Sequence, residues 1–301
     1  MTGYLNLPCV QGCTLADPRI KKNTLVREII FNFKCSAPCE RCHLMVRNGM
    51  TVNVSKALDY TRTSLDYARE NGFEELYIHI IGGDPLDSFE DLKEYCAAVE
   101  KLRKHFLITV WVSSCARSLT TPVMEWFKKY PWIRLRLYWD ENTPSVFQKD
   151  TSTFLLKKTD TVLWKITRDR IPFIKKDLLI LKKYFHNRTG TLIIPQYSDI
   201  SPMTQADFTE YIKALSACGK DDISLLVPAF DGCSSDVGTP RNIETYHVNG
   251  KVYFCRYMSL GYQLSSVISR LGSVCEDKEC ETCMAREKCR CCPAAAVMKT
   301  A

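Results

Sequence analysis

The chain has 301 residues, 46% hydrophobic and 25% charged, a balance that excludes a disordered chain and suits one large domain or two ordinary ones. No apolar run approaches the ~18 residues of a membrane span, and the N-terminus MTGYLNLPCVQGCT lacks the basic and apolar regions of a signal peptide, so a cytoplasmic protein is expected. The net charge of +7 arises in residues 157–188, where ten Lys and Arg face Asp160, Asp169 and Asp177, a pattern that suits a solvated helix face and does not call for a nucleic-acid partner.

From about residue 25 to 228, strand and helix signals alternate. LVREIIFNF (25–33) predicts a strand, and 55–71 a helix with Ser55 as N-cap and Gly72 just past its end. LYIHII (76–81) predicts a buried strand. The segment 88–105 opens with Ser88 and Asp91 in a capping-box pattern, and Leu92, Tyr95, Val99 and Leu102 form its apolar stripe. LITVWVS (107–113) is a strand, and Thr121-Pro122 opens the next helix with an N-cap and a proline at the first helical position. Strands follow at 133–139 and 162–167, then a basic amphipathic helix at 174–186, a strand at 191–194, a helix over 204–217 and a last strand at 223–228. Such alternation implies a parallel sheet with crossover helices, either barrel-like or doubly wound, with ligands at the carboxyl ends of the strands. Near residue 229 the composition shifts to Cys, Gly and short polar loops, which marks a domain boundary.

The chain contains 16 cysteines, with three inside 35–42 and six inside 275–292. In a reducing compartment, clustered cysteines at short spacing point to metal or catalytic ligands, not disulfides. Cys35-Ser-Ala-Pro-Cys39-Glu-Arg-Cys42 lets one loop wrap three thiolates around one centre. His43 could complete a structural zinc site; three thiolates alone would leave a [4Fe–4S] cluster with one open iron. Gly82-Gly83-Asp84-Pro85 follows the second strand. It reads as an ordinary turn or as a loop whose backbone approaches a ligand closely. Both features end neighbouring strands at the same sheet edge.

Together, Cx3Cx2C after the first strand, the Gly-Gly-acidic-Pro loop after the second and the β–α order over about 200 residues resemble the radical S-adenosylmethionine (SAM) superfamily. The resemblance implies an α/β fold, a partial (β/α)6 barrel over residues 25–228 after an N-terminal segment 1–24. It implies that Cys35, Cys39 and Cys42 hold a [4Fe–4S] cluster whose open iron binds SAM, and that the backbone of Gly82, Gly83, Asp84 and Pro85 supports the SAM amino group. Two positions depart from the family pattern: Arg41 stands where an aromatic residue often precedes the third cysteine, and Asp84 stands where glutamate is common. Ser113 and Ser114 match polar residues that touch SAM in the family; the plainer reading is a polar strand end. Asp140 and Cys115 lie at the ligand edge and are the candidate catalytic residues, against plainer readings as a turn aspartate and a packed thiol.

The tail 229–301 resembles the SPASM/twitch extension, a small cysteine-rich domain with one or two auxiliary [4Fe–4S] clusters. Cys233 and Cys255 match its first pair, Cys280, Cys283 and Cys289 its middle triplet, and Cys292 the next ligand. The family's last cysteine has no counterpart, and Cys275, Cys291 or the pair Cys9 and Cys13 could substitute. A zinc ribbon is the alternative for this tail.

The resemblance implies reductive cleavage of SAM and hydrogen abstraction from a peptide or protein side chain, with net oxidation such as crosslinking. The alternatives are a radical SAM oxidase or mutase of a small molecule, and, from another class, a zinc-binding interaction module. Implied partners are the peptide or protein substrate and a reductase or a flavodoxin- or ferredoxin-type electron donor. The 34 residues before Cys35 are too few for a fused leader-peptide-binding domain, so a separate leader-binding protein is a further candidate.

Overall fold

In the computed structural model of the chain, residues 4–5, 23–36, 49–140, 143, 149–185, 192–197, 203–204, 210–211, 213–214 and 243–253 are described. The chain divides into two compact units, Pro18–Asp160 with Arg241–Ser259, and Met1–Asp17 with Thr161–Pro240 and Leu260–Ala301. Along the described chain, six strands alternate with five helices. They are β1 (Thr24–Asn32), α1 (Val54–Glu70), β2 (Glu75–Gly82), α2 (Phe89–Leu102), β3 (Leu107–Ser114), α3 (Thr121–Lys129), β4 (Ile133–Trp139), α4 (Lys149–Lys158), β5 (Thr159–Ile166), α5 (Ile174–Phe185) and β6 (Leu192–Tyr197). A short hairpin of β7 (Ile243–Tyr246) and β8 (Val252–Tyr253) follows.

In the first unit, β1 pairs parallel with β2, β2 with β3, and β3 with β4. All nine residues of β1 are buried, as a strand covered on both faces requires. On the helix side, Phe31 meets Tyr95 of α2 edge-on at 6.0 Å, and the Arg27 guanidinium lies over the Tyr67 ring of α1 at 5.5 Å. Thr61 of α1 and Tyr95 of α2 join their hydroxyls at 2.7 Å. In the second unit, β5 pairs parallel with β6, and Ile174, Leu178, Leu181 and Phe185 form the buried stripe of α5.

The strand order agrees with the sequence pattern, whereas several helix starts do not. Helix α1 begins one residue earlier than expected, and Asn53 caps it in place of Ser55, its side chain accepting from the Lys56 N–H at 3.0 Å. Gly72 does lie just past the helix end, at φ +73°. Ser88 occupies the N-cap position of α2 but makes no capping bond; its hydroxyl accepts from Asn32 instead. Thr120, not Thr121, precedes α3. Helix α4 and the hairpin were not evident from the sequence pattern. Within the expected helix 204–217, residues 210–211 and 213–214 are helical, and Thr204 is in a two-residue strand; the expected strand 223–228 lies outside the described residues.

The hairpin adds to the first unit's sheet, with β7 parallel to β1 and β8 antiparallel to β7. A buried polar line then crosses four strands. Thr245 Oγ1 donates to Glu28 Oε2 at 3.1 Å, Glu28 Oε1 meets His79 Nδ1 at 3.2 Å, and His79 Nε2 meets Ser113 Oγ at 2.6 Å. All four side chains are buried. Buried polar groups cost stability unless paired, so this line favours one strand order and one register over others. Glu28→Ala should destabilise the chain by about 1–3 kcal/mol for each group left unpaired. Replacing Glu28 and His79 together by leucine should cost less than the sum of the single changes. Denaturant unfolding of the singles and the double measures this; additive losses would show that the two side chains do not act together.

Candidate active site

The site is built where β1, β2, β3 and β4 end. Just after β1 the chain is pinched: Phe33 N–H donates to Met50 O at 2.7 Å and Val52 N–H to Phe31 O at 2.8 Å. Asn32 bridges Thr51 across this neck. The described residues on either side of 37–48 are therefore joined at a neck. Cys35 stands beside this neck, half-buried against Ile30, Phe33 and Ile81. Cys39 and Cys42, with Arg41 and His43, lie outside the described residues, as do Cys9, Cys13 and the tail cysteines Cys233, Cys255, Cys275, Cys280, Cys283, Cys289, Cys291 and Cys292. Among the described residues, no three His, Cys, Asp or Glu side chains converge as a metal site.

The glycine loop is fastened to this neck. Gly83 N–H donates to Asn32 O at 2.9 Å, and Asp84 N–H to Lys34 O at 2.8 Å. The Asn32 side-chain amide donates to Asp84 O at 2.8 Å and to Ser88 Oγ at 3.0 Å. Gly82 sits at φ +145°, and a Cβ there would lie 2.4 Å from Asn32 O. Both loop N–H groups are thus spent inside the protein. What remains for a ligand is carbonyl oxygen, an acceptor that suits an ammonium group and not a phosphate.

Asp84 ties this loop to the one after β3. Its carboxylate accepts from Leu86 N–H at 3.0 Å, Ser114 Oγ at 2.9 Å, Cys115 N–H at 3.2 Å and Cys115 Sγ at 3.0 Å. Burial pushes the Asp84 carboxyl above the ordinary range, against the pull of the bonds from Cys115, Leu86 and Ser114. Burial, and then the Asp84 charge, push the Cys115 thiol well up, so it is a protonated donor at neutral pH. Ser114 Oγ also accepts from Ala116 N–H at 2.8 Å. Ala116 has φ +60°, in the left-handed region that costs a non-glycine residue energy. Both serines expected at the cofactor are engaged within the protein, Ser114 with Asp84 and Ser113 with His79.

Asp87 makes a second clasp, accepting from the Ser36 N–H beside Cys35 and from the Ser118 hydroxyl. The Ser36 and Ser118 hydroxyls meet at 3.0 Å. At the end of β4, Asp140 and Thr143 close a turn on each other. Asp140 N–H donates to Thr143 Oγ1 at 2.8 Å, and Asp140 Oδ1 accepts from Thr143 N–H and Oγ1, each at 3.0 Å. Asn32, Asp87 and Ser118 are site residues that sequence reasoning did not select. An asparagine directly after the apolar run Ile29–Phe31 was the one available signal.

No family model matches the chain, and no curated protein matches it. Among solved structures, the fold is similar to native anSMEcpe with bound AdoMet and Cp18Cys peptide, at 14% identity over 88% of each chain and a TM-score of 0.58. It is similar as well to native anSMEcpe with bound AdoMet and Kp18Cys peptide (13% identity, 88% of each chain, TM-score 0.57). A third is native anSMEcpe with bound AdoMet (14% identity, 88% of each chain, TM-score 0.55). The likeness shows the fold alone, an α/β partial barrel, as expected from the sequence.

Proposed function

We propose that this chain is a radical SAM enzyme that modifies a side chain of a peptide or protein. The observation that supports it best is the fastening of the cysteine-loop neck to the glycine loop at the ends of two adjacent parallel strands. The structurally similar anSMEcpe has been solved with AdoMet and with peptide bound, which supports the same ligand classes here.

The donor set fits the cofactors. Cys35, Cys39 and Cys42 would hold a [4Fe–4S] cluster with one iron left open, and the carbonyl side of Gly82–Pro85 would accept from the SAM ammonium. When bound, this pair supplies a 5′-deoxyadenosyl radical that takes a hydrogen atom from the substrate. The chain's own residues orient and shield that chemistry. Asn32 and Asp87 fix the two loops against each other. Burial, and then Asp84, keep the Cys115 thiol protonated, so that it does not compete with the loop cysteines for iron. Cys115 and Asp140 stand at the strand ends, where a substrate would enter, and are the proposed catalytic residues. Ser114 acts on SAM through Asp84 and the glycine loop that it braces, and Ser113 through the His79 bond that fixes the end of its strand. The tail 229–301 is proposed to carry auxiliary clusters, and a flavodoxin- or ferredoxin-type donor to supply electrons.

The test is incubation of the reconstituted protein with SAM, reductant and a candidate precursor peptide deuterated at the target residue. Deuterium should appear in 5′-deoxyadenosine, and a crosslinked peptide should lose about two hydrogens of mass. Efficient deuterium transfer from a small metabolite, with every peptide unmodified, would replace the peptide substrate by a small molecule.

A further inference from the structure

Helix α5 presents an outer face that combines charge with exposed apolar surface. Three of the exposed large apolar side chains lie on it or at its start: Phe173, Leu179 (61% exposed) and Ile180. Lys175, Lys176 and Lys183 are on the same face, and among the described residues they have no acidic partner. Asp177 is committed to Arg170 at 2.9 Å. Helical spacing sets Lys175 beside Leu179, Leu179 beside Lys183, and Lys176 beside Ile180. Apolar and cationic groups therefore alternate turn by turn.

We infer that this face docks an acidic peptide segment carrying apolar side chains. The lysines attract carboxylates over roughly a Debye length, ~8–10 Å in physiological salt, and Phe173, Leu179 and Ile180 supply apolar contact. A membrane surface fits less well. The continuous apolar stripe of α5, Ile174, Leu178, Leu181 and Phe185, is buried in the protein and cannot enter lipid. A nucleic acid fits less well too, because two aliphatic side chains stand among the lysines and no arginine does. The inference rests on the peptide-modifying proposal only in taking the segment as part of the substrate, and docking is measured without turnover.

The experiment titrates the full chain with a fluorescent peptide of alternating glutamate and leucine. The comparisons are its lysine–leucine counterpart, phosphatidylserine–phosphatidylcholine vesicles and single-stranded RNA. The acidic peptide should bind saturably and more weakly as salt rises. Lys176→Glu with Lys183→Glu should weaken it about tenfold and flatten the salt dependence. Leu179→Ser with Ile180→Ser should weaken it several-fold while keeping the salt dependence. All four positions lie on the outer face, away from the buried stripe, so the variants should fold, and circular dichroism checks this. Equal binding by wild type and both variants, or binding of vesicles or RNA in preference to the peptide, would overturn the inference.

Discussion

Replacing Cys35, Cys39 and Cys42 together by alanine is expected to remove about four iron atoms per chain from anaerobically reconstituted protein. The wild type should hold roughly 8–12, for one open cluster and one or two auxiliary clusters. The variant should form no 5′-deoxyadenosine from SAM under reduction, while keeping the iron bound by the tail. The fold should survive, because the neck of the loop is held by backbone bonds between 31–33 and 50–52 that no cysteine side chain makes. Cys115→Ser is the matched control. That thiol donates to Asp84 and is protonated at neutral pH, so its loss should leave the iron count unchanged. Continued 5′-deoxyadenosine formation by the triple variant would show that the cluster site is elsewhere. A colourless wild-type protein carrying zinc would favour the interaction module.

Gly82→Val should be the most damaging single change in the glycine loop. The new Cβ would meet a backbone oxygen at 2.4 Å, and φ +145° is closed to a β-branched residue. Strained backbone of this kind costs about 1–3 kcal/mol before any clash. Relief of the clash must move Asn32, whose carbonyl and amide fasten Gly83, Asp84 and Ser88. The expected result is a lower denaturation midpoint and at least ~10-fold weaker SAM binding, a factor worth about 1.4 kcal/mol. Gly72→Ala provides the contrast. Gly72 also has positive φ, but nothing lies within 4 Å of its Cβ position. It should lose roughly 1–2 kcal/mol of stability and no SAM affinity. Wild-type stability and SAM affinity in Gly82→Val would remove this loop from the site.

Local pattern was enough to read the order of strands and helices from β1 to β3 and the placing of two loops after successive strands. Apolar periodicity, Gly-Gly-Asp-Pro and Cx3Cx2C are short-range features, and a parallel α/β order carries successive strand ends to one edge. The partner of each polar group was not legible in the same way. Ser88 suits an N-cap and Ser113 a cofactor by type, yet one hydroxyl serves Asn32 and the other His79. A hydroxyl bonds whatever the fold brings within reach, and residue type alone does not name it. The Thr245–Glu28 bond joins residues 217 positions apart, and it exists only because β7 aligns with β1 in one register. Asn32 and Asp87 gained their roles in the same way: each reaches groups that strand pairing brings close, so their bracing of the site emerges only once the chain is folded.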